Sequence, residues 1–276
     1  MKSLVDKEGN VHLGSSLIKQ IYYKGEERIH CPRKIYISYV AKSHKSPSSI
    51  YMLRGLYFEY KCLGAMSSHQ EDVPDWSSLF YARDQEKPLA ETDRVLRQVD
   101  NFRERIIPPY GLEVDEVRVQ VKGEKLLEDH KIILEGEADL ISPVSFTAQN
   151  KEYVFDDCII DLKLTGDLGN DFGEFSWAKA QDMDHIQAYI YGAIWELPFM
   201  YFVFDYKKNP EFLPILKTMK GVEAMEYMQT VLNAKEKILE YEEKKWPAVS
   251  SYKLCKNCML QDVCDKFINK PDAVII

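Results

Sequence analysis

Between Thr92 and Gly123 the apolar period of this chain changes from helical to extended, and that switch limits the architectures open to it more than any other feature. Val95, Val99, Phe102 and Ile106 recur at helical spacing until Pro108-Pro109 ends the pattern. Directly afterwards "VRVQVKG" alternates Val117, Val119 and Val121 with Arg118, Gln120 and Lys122, the period of a half-buried strand, and "KIILEGEADLI" follows as its antiparallel partner. "YVFDDCIIDLKLTG" reads as a third strand, entered through the polar turn "SFTAQNKE". Residues 175–196 read as helix, "PFMYFVFDY" as strand, "EFLPILKTM" as a further strand candidate, and residues 222–245 as an amphipathic helix that stops before Trp246-Pro247. Upstream, residues 15–42 suit two short helices, the second starting near "CPRKIYISYV". Residues 47–66 suit a longer helix with Ser/Pro at its start, and "SSHQEDVPDWSS" suits a loop. The order predicts an α/β chain with a central mixed β-sheet in the middle of the sequence, flanked by helices.

The chain has 276 residues, 29% of them charged, which fits an ordered globular protein and excludes wholesale disorder. "MKSLVDKEGN" has no apolar stretch behind its lysine, so it does not read as a secretory signal, and the expectation is a cytoplasmic chain whose six cysteines stay reduced. The most apolar stretch, residues 188–204, is interrupted by Glu196 and Pro198 and is expected to form a buried helix and strand, with no membrane partner. Net charge is −8, but residues 1–70 carry +6 and the remainder −14. Solvated charged faces explain such an imbalance; so does a protein that holds a polyanion on one side and cations on the other.

Asp161 and Lys163 lie two apart on the third strand, so they share one face while Ile160 and Leu162 take the other. The preceding strand supplies Glu137 and Asp139 at the same spacing. If the strands pair, several carboxylates and one lysine meet, a set that repels itself unless a divalent ion such as Mg²⁺ or Mn²⁺ neutralises it. An exposed ion pair is the plain alternative for Asp161 and Lys163. Gln187 and Tyr191 share a face of the following helix one turn apart, with Asp184 upstream, while Ile186, Ile190 and Ile194 line an adjacent face. Glu59 stands in an apolar helix and needs a partner if buried. His185 could touch a ligand, though a satisfied structural histidine accounts for it equally. "CKNCMLQDVC" offers Cys255, Cys258 and Cys264, one ligand short of a tetrahedral site, whereas Cys62 and Cys158 lie in apolar segments and suit packing.

In order, Gly55-x-x-x-Glu59, "GEAD" ending at Asp139, Asp161-x-Lys163 and Gln187-x-x-x-Tyr191 resemble the PD-(D/E)XK nuclease superfamily, and within it the RecB-like exonucleases. The resemblance covers residues 15–268. It implies a restriction-endonuclease-like core over residues 111–218 in a single domain of residues 1–276, preceded by a helical part, residues 15–66. Glu59, Asp139 and Asp161 would be ligands of Mg²⁺ or Mn²⁺, Lys163 the catalytic lysine, and Gln187 and Tyr191 residues that position DNA. Many RecB-like members carry histidine where Glu59 stands. AddB-type nuclease domains and CRISPR-associated RecB-like exonucleases bind a [4Fe-4S] cluster through one early and three late cysteines. By that likeness Cys31, in "HCPRK", joins Cys255, Cys258 and Cys264 (residues 250–268) and links the N- and C-terminal segments; Cys62 is the substitute for Cys31. Four thiolates could equally hold zinc. The activity implied is exonuclease hydrolysis of DNA, with single-stranded ends favoured and recombination, repair or phage- or CRISPR-associated processing as settings. The alternative is a non-catalytic nucleic-acid-binding or complex-assembly protein built around the cysteine site.

Overall fold

A computed structural model describes residues 3–43, 50–64, 86–171, 176–207, 211–219, 221–249, 252–256, 258, 260 and 264. In chain order its elements are β1 (Val11–Gly14), α1 (Ser15–Ile21), β2 (Tyr22–Tyr23), β3 (Glu26–Glu27), α2 (Pro32–Ile35), a π-helical turn (Tyr36–Ala41), α3 (Ile50–Leu63), α4 (Glu86–Arg105) and α5 (Ile107–Tyr110). There follow β4 (Val119–Leu127), β5 (Ile132–Ala148), β6 (Lys151–Thr165), α6 (Ile186–Trp195), β7 (Phe199–Asp205), β8 (Phe212–Lys217), α7 (Val222–Glu243) and α8 (Tyr252–Cys255). The loop expected over residues 67–78 lies outside the described residues. The chain divides into two compact units: residues 1–47, 124–135 and 220–276, and residues 48–123 and 136–219.

In the first unit β1 pairs in parallel with the start of β5, Val11 opposite Ile132 and Gly14 opposite Glu135. This strand was not among those expected from the pattern. Leu17, Ile18 and Ile21 of α1 are buried, as are Val231, Ala234, Ile238 and Tyr241 along one stripe of α7. Helix α7 ends in a reversed turn in which the Trp246 amide donates to the Tyr241 carbonyl at 2.7 Å, with Lys245 and Trp246 both left-handed. The Trp246 ring lies 5.7 Å from Tyr241 and 5.9 Å from Tyr36. His30 Nε2 is 2.5 Å from the Tyr241 hydroxyl, so the segment around Cys31 is tied to this helix end.

The second unit holds the mixed sheet. β5 and β6 form an antiparallel hairpin whose turn residues, Gln149 and Asn150, are both left-handed. β6 runs parallel to β7, and β7 antiparallel to β8. Every residue of β7 is buried, as a central strand covered on both faces requires. Its side chains alternate: Met200, Phe202 and Phe204 join Phe58, Phe102 and Leu162 in one cluster, while Phe199 meets Tyr191 on the other face. The parallel β6–β7 link requires a crossover, which α6 supplies.

Two boundaries differ from expectation, each for a local reason. The strand read from Val117 begins at Val119, because Asp115 Oδ1 accepts the amides of Val117 and Arg118 and closes a turn there, leaving Val117 86% exposed. The helix read over residues 175–196 is a 3₁₀ segment, Trp177–Asp182, and then α6; Met183 is extended, and Asp184 Oδ1 accepts the Ile186 amide at the new start. The Phe204 ring lies 4.9 Å from that of Phe58 and 6.2 Å from that of Phe102. Phe204→Ala is therefore expected to cost about 3–5 kcal/mol, read as a lower urea midpoint at unchanged slope.

Candidate active site

Antiparallel pairing of β5 with β6 reaches Leu140–Ile160 at the end away from the hairpin turn. Beyond it the Leu162 amide donates 2.8 Å to Asp139 Oδ2, so a side chain takes the place of a ladder carbonyl and its carboxylate lies between the strands. On β6, Asp161 and Lys163 share a face, as period two demands, and their side chains form an ion pair. Asp161 Oδ1 also accepts from Gln187 Nε2 on α6 at 2.7 Å. The Tyr191 hydroxyl donates 2.8 Å to the Glu137 backbone carbonyl. The two residues expected to face a ligand are thus used, in this structure, to hold Asp161 and the strand that carries Asp139.

Two glycines let α6 approach so closely. A Cβ on Gly136 would come within 2.9 Å of the Tyr191 ring and 3.0 Å of Ile194; one on Gly123 would come within 2.6 Å of Trp195. All three distances are below ordinary contact, so the helix that carries Gln187 sits on backbone.

Glu59, on α3, is 8% exposed and Asp161 1%. Gln120 of β4 donates from Nε2 to Glu59 Oε1 at 2.5 Å. Asp139 is half-buried. Burial, and then the charges of Glu59 and Asp161, push its carboxyl well above the usual carboxylate range, against the opposing pull of Lys163 and the Leu162 amide. Burial acts to lower the Lys163 pKa, but Asp161 and Asp139 outweigh it and hold the ammonium form above its ordinary range. Tyr191 is pushed up to about 12, first by burial and then by the same two carboxylates, and stays a neutral donor.

Carboxylates from two other stretches, Glu59 and Asp161, therefore act on the titration of Asp139, with one ammonium among them. That donor set suits a hard divalent cation, which would relieve the repulsion that burial magnifies. Among the described residues no three His, Cys, Asp or Glu side chains converge as a ligand group. Gln120 was not singled out from the sequence, where it is one polar member of an alternating strand. Its backbone is left-handed, φ +52°, which alternation does not reveal. His185, 1% exposed, donates to the Ala180 carbonyl at 2.7 Å and fits the structural account.

Cys31, at the start of α2, and Cys255, Cys258 and Cys264 are in no disulfide, are partly accessible and lie in the first unit. The Cys258 amide donates to the Cys255 carbonyl, closing the turn of the C-x2-C stretch. Cys62 and Cys158 are buried, and burial pushes both thiols up, that of Cys158 to about 12.

A crystal structure from Eubacterium rectale, described as a "putative exonuclease", is similar to this chain, with a TM-score of 0.53 and 15% identity over 96% of this chain and 90% of that one. The likeness is one of fold. No family model matches the chain, and no curated protein matches it.

The crowding has a measurable cost in the metal-free protein. The folded-state pKa of Asp139 is raised above its unfolded value, so its ionisation destabilises the fold increasingly as pH rises above about 4. Asp139→Asn keeps an acceptor for the Leu162 amide and removes the charge. In chelator at pH 7 this variant is expected to be more stable than the native chain by about 1 kcal/mol, with the gap closing towards about pH 4, as read from thermal melts.

Proposed function

We propose that this chain is a metal-dependent deoxyribonuclease of the PD-(D/E)XK kind, an exonuclease acting on single-stranded DNA ends. The observation that carries the reading is the Asp161–Lys163 ion pair on β6 next to Asp139, whose carboxylate accepts the Leu162 amide, with Glu59 buried on α3. A structural ion pair would not need the extra two acids. The exonuclease description of the similar fold supports the same class of chemistry.

Glu59, Asp139 and Asp161 would hold Mg²⁺ or Mn²⁺, which supplies Lewis acidity toward a phosphodiester and a lowered pKa for bound water. The chain's own groups do the rest. Lys163, kept protonated by its acidic neighbours, faces the negative charge that gathers on the phosphoryl oxygens as water adds and one ester P–O bond breaks. It does not serve as a base. Gln187 fixes Asp161, and Tyr191 fixes the β5 backbone at Glu137; in that way they position the site for DNA. The basic first 70 residues would attract the polyanion.

Cys31, Cys255, Cys258 and Cys264 would hold a [4Fe-4S] cluster, with zinc as the other metal this donor set accepts. Its role is to crosslink distant stretches of chain.

On end-labelled single-stranded DNA with Mn²⁺, Lys163→Ala and Asp161→Ala are each expected to lower the rate by about 10²–10³-fold or more, the scale of losing one charge-stabilising group. Unchanged degradation in both removes the site. Protein prepared without oxygen is expected to be coloured and to contain iron, and Cys258→Ser to lose both; a colourless native chain containing one zinc would assign the site to zinc.

A further inference from the structure

Gln120 stands where β4 begins, in a left-handed conformation that a residue with a Cβ adopts only when its surroundings impose it. Both sides of it are fixed. The Arg118 and Val119 amides donate to the Asp115 carbonyl at 3.1 and 3.2 Å, and the Ile141 amide donates to the Arg118 carbonyl at 2.9 Å. On the other side Gly123 closes against Trp195. The result is an amide side chain turned off the regular alternation and onto Glu59, 2.5 Å away.

A carboxylate only accepts, so the nitrogen of Gln120 must face Glu59. Its oxygen shares the same carbon and is buried with no hydrogen-bond partner among the described residues. An orphaned buried acceptor is unfavourable unless a cation or a donor reaches it.

We propose that Gln120 is a positioning residue of the carboxylate site: its nitrogen sets the orientation of Glu59, and its oxygen adds a neutral oxygen beside the divalent ion, either directly or through a water in the ion's shell. The inference rests on the nuclease reading and deepens it. A neutral amide suits the role because an arginine or lysine there would set a positive charge against the ion.

The test measures Mn²⁺ binding by calorimetry on the full chain, alongside thermal melts in chelator. Gln120→Met removes donor and acceptor at similar length. Gln120→Gly removes them and also suits the left-handed backbone, so it keeps the fold even if Gln120→Met does not. Both are expected to bind Mn²⁺ about 10–100-fold more weakly, the range for a group that orients a metal ligand. The Gln120→Gly melt in chelator is expected to be no lower than that of the native chain, which a merely structural role would not give. Asp161→Ala is the reference that abolishes binding. If the native chain binds Mn²⁺ and the Gln120 variants bind it equally well, only the role of Gln120 is overturned. If the native chain binds no Mn²⁺, the carboxylate site itself falls, and Gln120 with it.

Discussion

Like-charge repulsion held inside the fold is the constraint on which the second unit is built. Asp139 sits where the β5–β6 ladder gives way, its carboxylate bonded to the Leu162 amide and pushed toward its neutral form by burial and then by Glu59 and Asp161. Such an arrangement persists only if the surrounding structure over-determines it. The fully buried β7 fixes β6 in register, Asp161 opposite Tyr201 and Lys163 opposite Val203. Gly136 and Gly123 admit α6 close enough for Gln187 to reach Asp161. The apolar packing of Phe58, Phe102 and Phe204 then supplies stability that the polar cluster does not.

The partners given to Asp161 and Asp139 are unequal, and the inequality is informative. Asp161 has an ammonium and an amide, whereas Asp139 has a backbone N–H. A site built for stability alone would match each carboxylate with a cation or replace the set with apolar side chains. Three carboxylates with one lysine leave a surplus of two negative charges when all are ionised, the charge a divalent ion offsets. The same surplus explains why Lys163 stays protonated: two carboxylates outweigh the burial that would otherwise discharge it.

Much of this was legible in the sequence because period-two alternation fixes which residues share a face. Asp161 with Lys163, and the burial of Leu162 on the opposite side, follow from spacing alone. The i, i+4 relation of Gln187 and Tyr191 likewise put both on one face of α6, though not onto Asp161 and the Glu137 carbonyl, since those partners depend on where the strands end. The start of β4 was misplaced because Asp115 captures two amides, a local competition that alternation does not report. Gln120 escaped notice for the related reason that a left-handed residue breaks the alternation from within. β1 was missed because four residues are too few to display a period, and its partner lies 121 positions away.

The two groups of candidate ligands differ in what a bound ion would do to the chain. The acids are already neighbours, so an ion there chiefly relieves repulsion and changes pKa values and charge more than shape. Neither set is gathered as a ligand group among the described residues, but the thiols are accessible, and His30, Tyr36, Tyr241 and Trp246 already anchor the segment that bears Cys31. Bringing Cys31 to Cys255 closes a loop of more than two hundred residues in the unfolded chain, a closure whose entropic cost rises only slowly with length. Binding free energy at the cysteines therefore goes into ordering the polypeptide, whereas at the carboxylates it goes into neutralising charges that the fold already holds within electrostatic reach of one another.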